Sequence, residues 1–166
     1  FVRYMAQHAV AIRFELGQAQ AQPVEAFAEL AQVGRTGDVD RAGEAVLAQF
    51  AAEGIAAVAG SLSPLAIRLR DKPALARHPL FLAGAFEVQD EGSQLLGYLM
   101  EPRRGEMVVD FCAGAGGKTL LLGALMRNTG RLYAYDVSDK RLARLKPRLA
   151  RSGLSNVHPV RIEHER

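Results

Sequence analysis

Met107-Val108-Val109-Asp110-Phe111-Cys112-Ala113-Gly114-Ala115-Gly116-Gly117-Lys118-Thr119 is the stretch around which the chain is organised. Its apolar run, 107–109, stops at Asp110, and three glycines follow at 114, 116 and 117. Leu120, Leu121, Leu122, Ala124, Leu125 and Met126 then begin an apolar helical face. The pattern predicts a buried strand, a glycine turn and the first turns of a helix. Glycine lets the backbone turn tightly and brings N–H groups against a ligand that a Cβ would hold off. The adjacent pair Gly116-Gly117 marks the expected point of closest approach, and the helix behind it adds unpaired amide donors and its positive end. This is the pattern of a nucleotide-type cofactor site on an α/β sheet.

Spacing decides among cofactors. A phosphate-cradling P-loop, G-x-x-x-x-G-K-[ST], finds its end in Gly117-Lys118-Thr119 but has Cys112 where its first glycine belongs. A dinucleotide fingerprint, G-x-G-x-x-G, fits Gly114 and Gly116 and then meets Thr119. The run resembles instead the D-x-C-A-x-x-G-G-K-T motif of the Sun, or RsmB-like, family of RNA 5-methylcytosine methyltransferases. Asp110, Cys112, Ala113, Gly116, Gly117, Lys118 and Thr119 match it. That resemblance implies an S-adenosylmethionine site formed by Cys112, Ala113, Gly114, Ala115, Gly116, Gly117 and Lys118. The segment 84–96, with Val88-Gln89-Asp90-Glu91-Gly92-Ser93-Gln94, resembles the family's entrance to the methyltransferase domain.

Downstream the chain keeps a βαβ rhythm. The helix closes at 128–130, and Arg131-Leu132-Tyr133-Ala134-Tyr135-Asp136 reads as a second strand ending in a carboxylate. Asp136 lies 19 residues beyond Gly117, near the ~20-residue spacing at which an acid meets ribose hydroxyls in such folds. An ionised carboxylate is acceptor-only, so it can take both hydroxyl protons; the plain alternative is a cap for the next helix. Ser138 opens a third helix with Leu142, Leu145 and Leu149 on one side, Pro147 inside it as a predicted kink, and Gly153 as its stop. A third strand, 157–162, is interrupted by Pro159. Three such strands are the first half of a Rossmann-like, doubly wound α/β sheet.

Upstream, an alanine- and glutamine-rich stretch reads as mostly helical, with a polar linker at 18–22, a helix from Pro23 through about 33, a turn at 35–38 and a helix over 40–53. His8 reads as an ordinary residue. Short strands follow at 55–59 and 65–70, the second showing Arg68 and Arg70 on an outer face. Residues 1–83 are therefore expected to form a helical and α+β module, and 84–166 the N-terminal half of a methyltransferase domain. In the Sun family a small α+β module in this place helps hold RNA, although the family's usual strand before the helix is not legible at 27–37.

The chain has 166 residues and a net charge of +3. Residues 1–117 carry 10 basic and 14 acidic side chains, and 118–166 carry 11 and 4. The basic C-terminal third either meets RNA phosphate or is a solvated helix face. Arg144 and Arg148 on the third helix, with Arg68 and Arg70, are the candidate RNA contacts. A single cysteine excludes a disulfide within the chain and a multi-cysteine zinc site. Neither a membrane-length apolar run nor a signal pattern is present, and with the single cysteine a cytoplasmic location is expected.

The resemblance implies methyl transfer from S-adenosylmethionine to C5 of cytosine, with ribosomal RNA as the substrate suggested by bacterial members. Such chemistry needs a thiolate to add to C6 and make C5 nucleophilic. The family's nucleophilic and helper cysteines lie in proline-cysteine and threonine-cysteine motifs beyond the third strand. Neither motif occurs in these residues, so the chain is expected to be a truncated, inactive piece with Cys112 beside the cofactor rather than attacking the base. A P-loop-like NTPase and a non-catalytic RNA-binding module are the competing readings.

Overall fold

The computed structural model describes residues 2–5, 28–32, 39–71 and 73–163. In chain order the first elements are β1 (Val2–Met5), β2 (Ala28–Gln32), α1 (Val39–Ala52), β3 (Ala57–Ala59) and β4 (Ala66–Leu69). A 3-10 turn (Leu75–Arg77) leads to α2 (Pro79–Leu82), β5 (Phe86–Val88) and α3 (Glu91–Leu99). Then come β6 (Met107–Asp110), α4 (Gly117–Leu125), β7 (Arg131–Asp136), α5 (Asp139–Ser152) and β8 (Val157–Arg161).

Two sheets result. One is antiparallel, in the order β3-β4-β2-β5. Val46 and Phe50 of α1 pack with Ile67, Leu69, Leu75 and Phe86 to make its core. Phe50 meets Phe86 edge-on at 5.6 Å, and the His78 ring lies 5.2 Å from Phe50. Each buried phenylalanine stabilises the unit by about 1.5–3 kcal/mol. The predicted helix over 23–33 is not what forms here, since Ala28–Gln32 is a central strand between β4 and β5. Ala-Glu-Leu-Ala-Gln has helical propensity, but ladder hydrogen bonds on both sides outweigh that weak local preference. The strand before the helix is thus present after all. Phe86–Val88, read from sequence with the second unit, is the fourth strand of this sheet. His8, the 18–22 linker, the start of the 23–33 helix and the 35–38 turn lie outside the described residues.

The other sheet is parallel, β1-β6-β7-β8. Right-handed βαβ crossovers are the rule for such strands, and α4 and α5 connect β6 to β7 and β7 to β8. Val108 pairs with Leu132, and Leu132 with Val157. These side chains form a core with Leu120 and Leu122 of α4 and Leu142 and Leu145 of α5. This is the expected Rossmann-like half-sheet; the pairing of β1 with β6 was not legible in the sequence. Helix α5 runs on through Pro147, and β8 runs on through Pro159. On the opposite face of the sheet Tyr133 and Tyr135 stack at 6.1 Å, flanked by His158 and Phe111. No helix among the described residues is long and apolar enough to cross a membrane.

Candidate cofactor site

Strand β6 delivers Asp110, 3% exposed, to the head of the glycine turn. Its Oδ2 accepts the Thr119 hydroxyl at 2.6 Å and its Oδ1 accepts the Cys112 N–H at 3.3 Å. Burial pushes its pKa above the ordinary carboxylate value, despite the opposing pull of Thr119, the Cys112 amide and Lys118. Asp110 therefore joins strand, turn and helix from inside.

The turn is tied down almost amide by amide. Ala113 N–H donates to the Tyr135 carbonyl at 2.8 Å, and Gly116 N–H to the Ala113 carbonyl at 2.8 Å. Gly114 N–H donates to Asp136 Oδ2 at 2.9 Å. The other Asp136 oxygen accepts Ser138 N–H at 2.8 Å and lies 3.0 Å from Arg141. The carboxylate at the end of β7 thus knits the two strand ends together while retaining lone-pair capacity on Oδ2.

The glycines divide by direction. Gly116 has φ +86°, and a Cβ there would collide with Leu145 Cδ1 of α5. Its missing side chain makes room for Leu145, so packing of α5 as well as any approach of a ligand to the backbone requires glycine there. Gly114, at φ +57°, meets nothing closer than the Cys112 carbonyl at 4.0 Å, so the open approach lies there. Helix α4 begins at Gly117 with Gly116 as an N-cap that has no side chain to offer. Its first helical bond runs from Leu120 N–H to Gly116, so the amides of 117–119 lack intrahelical acceptors. Beside them the Gln89 Nε2 is buried without a hydrogen-bond partner, 3.7 Å from where a Gly117 Cβ would stand. Asp90 caps α3 by accepting Ser93 N–H at 2.8 Å. Burial opposes ionisation of Asp90, but the Ser93 hydrogen bonds and the nearby Lys118 charge outweigh it and lower its pKa.

A strand ending in a buried aspartate, an open glycine turn, an uncapped helix and a second strand ending in an acid make up the site. The family described as 16S rRNA methyltransferase RsmB/F matches over residues 97–165. Over this segment, 69 of its 166 residues, the chain is similar to the RsmB/F methyltransferase family. A 28S rRNA (cytosine-C(5))-methyltransferase of Mus musculus is 41% identical over 97 residues, covering 57% of this chain and 21% of the mouse protein. Ribosomal RNA small subunit methyltransferase B of Sodalis glossinidius is 39% identical over 111 residues, covering 67% of this chain and 25% of its own length. A methyltransferase homolog protein from Pyrococcus horikoshii superposes with a TM-score of 0.72 at 27% identity, covering 83% of this chain and 45% of that one. The chain spans about a fifth to a quarter of the length of the mouse and Sodalis proteins.

The residues singled out from sequence separate into two groups. Cys112 through Lys118 and Asp136 come together at one point, with the Cys112 thiol exposed. The four arginines do not. Arg70 and Arg144 are exposed, but Arg68 pairs with Glu91 at 2.5 Å. Arg148 turns inward to Glu87 and donates to the Ala115 carbonyl at 2.8 Å. Arg148 is partly exposed, with a side-chain exposure of 22%, and its guanidinium is engaged by a buried carboxylate that needs its cation. Sequence reading missed Gln89 and Glu87. Gln89 stands inside the V-Q-D segment, the one signal that pointed to it. Glu87 has its partners 61 and 64 residues away, and nothing local announces them.

Proposed function

We propose that this chain is the cofactor-binding part of an RNA (cytosine-5) methyltransferase that uses S-adenosylmethionine and acts on ribosomal RNA. The observation that carries the reading is the convergence of Gly114, the uncapped N-terminus of α4 and Asp136 at the ends of β6 and β7. The residues fit such a cofactor. Amide donors at 117–119 and the unpartnered Gln89 amide suit acceptor atoms, and Asp136 suits ribose hydroxyls. When bound, the cofactor supplies an electrophilic methyl group. The chain's own work is to hold and orient it: Asp110 and Thr119 brace the turn, Gly114 leaves room, and Lys118 balances Asp90. The thiol of Cys112 belongs to the turn and is not assigned the attack on the base, which falls to cysteines outside these residues.

In this reading the unit on the antiparallel sheet, α1 with β2 to β5, binds RNA, and the unit on the parallel sheet, β1 with β6 to β8, is the first half of the methyltransferase domain, so that β1 and β5 each fall on the other side of the 83/84 boundary expected from sequence. The names of the relatives, which are ribosomal RNA methyltransferases, support the substrate class; exposed Arg70 and Arg144 supply cations for phosphate.

Calorimetric titration of the full-length protein with S-adenosylmethionine and with ATP tests the reading. Binding of the first and not the second is expected, and the reverse establishes the P-loop alternative. Asp136→Ala is expected to weaken S-adenosylmethionine binding by about 1.5–3 kcal/mol, the range for a hydrogen bond to a charged group. A loss of thermal stability with unchanged affinity would reduce Asp136 to a helix cap.

A further inference from the structure

Glu87 of β5 is 5% exposed and faces two guanidinium groups of α5. Arg148 contributes Nε at 3.2 Å and a terminal nitrogen at 3.1 Å to Glu87 Oε2. Arg151 pairs with Oε1 and stacks over the Phe81 ring at 4.0 Å. A buried carboxylate stripped of its partners is strongly unfavourable, so these side chains are not free to leave. The two arginines then differ. Arg148 uses its remaining terminal nitrogen to donate to the Ala115 carbonyl at 2.8 Å; Arg151 has no such bond to the turn.

The Ala115 carbonyl and the Gly116 N–H belong to one planar peptide unit. The N–H end is held by the Ala113 carbonyl at 2.8 Å and the carbonyl end by Arg148. Rotating this peptide breaks both bonds at once. The same peptide adjoins the φ +86° of Gly116, and so sets where α4 begins and which way its free amides point. Glu87, on the antiparallel sheet, in turn fixes Arg148. We infer that Arg148 is a positioning residue for the cofactor turn, locked in place by Glu87, and that cofactor affinity therefore depends on a strand of the other sheet. The inference rests on the proposed reading of the turn as the S-adenosylmethionine site.

The test uses the full-length protein and four variants, Arg148→Met, Arg148→Lys, Glu87→Gln and Arg151→Met. The readouts are S-adenosylmethionine affinity by calorimetry, KM for the cofactor and kcat, and thermal melting. Arg148→Met is expected to weaken binding by at least tenfold and raise KM, with kcat at saturating cofactor changed less than twofold. Arg148→Lys, which cannot reach Glu87 and the carbonyl together, should be intermediate, and so should Glu87→Gln. Arg151→Met should melt at lower temperature yet bind cofactor within twofold of wild type. A folded Arg148→Met with wild-type affinity overturns the inference, as does an equal loss in Arg151→Met, which would make the cluster purely structural. If Arg148→Met fails to fold, Arg148→Lys decides, and a change below twofold overturns it. A wild-type protein that binds no S-adenosylmethionine refutes the reading of the turn itself and is thereby distinguished from failure of the inference alone.

Discussion

Gly114 and Gly116 stand two residues apart and should answer differently to the same substitution. Both have positive φ, so alanine at either costs roughly 1–2 kcal/mol in backbone strain. At Gly116 the new methyl also strikes Leu145, adding about 1–3 kcal/mol of overpacking. At Gly114 it enters open space, on the side proposed for the cofactor. Gly116→Ala is therefore expected to lower the melting temperature more, and Gly114→Ala to lose more S-adenosylmethionine affinity relative to its stability loss. Melting curves and titrations of the two variants check this; equal affinity losses at equal stability would refute the distinction. That the turn needs glycines was legible from the spacing of the motif. Which glycine makes room for Leu145 was not, because that depends on where α5 packs. Asp136 was legible as the acid at the strand end, whereas its bond to the Gly114 amide follows from strand pairing that the local sequence does not contain.

Helix α5 illustrates what amphipathic patterning does and does not reveal. Leu142 and Leu145 are buried as the period predicts, and Ser138 caps the helix. The polar side, however, is not all solvent-facing: Arg144 is exposed, but Arg148 points toward β5 and the turn. Replacing Arg144 by Gln is expected to lower the salt dependence of RNA binding by about one unit of slope, the share of a single neutralised phosphate. Arg148→Gln should leave that slope unchanged. Measuring binding to a ribosomal RNA fragment across a salt series checks both, and an equal drop for the two would return Arg148 to the RNA surface. Strand β2 shows the opposite limit of pattern reading. Its composition favours a helix, and only its two antiparallel neighbours make it a strand.

Across the whole molecule the two sheets are joined by carboxylates that find their partners far along the chain. Glu91, at the start of α3, accepts the amides of Leu62 and Ser63 at 2.6 and 2.7 Å and pairs with Arg68 of β4. Burial raises its pKa, but these bonds outweigh it and hold the carboxyl below its ordinary value of 4.5. A lowered acid stabilises the fold above its unfolded pKa, and that contribution disappears as pH falls through the folded value. Glu91→Gln is accordingly expected to cost about 1.5–3 kcal/mol at pH 7, with the gap to wild type closing below pH 4.5. Urea unfolding at pH 7 and in acid checks it; a gap that is constant with pH would show that charge is not involved. The face of the parallel sheet away from α4 and α5 has a further consequence. The chain contains no tryptophan and four tyrosines, and Tyr133 and Tyr135 lie stacked on that face. Its ultraviolet emission is thus tyrosine emission, and half of the emitting rings stand where any partner laid across the sheet would shield them from water. The protein carries its own unlabelled optical probe for whatever covers that surface.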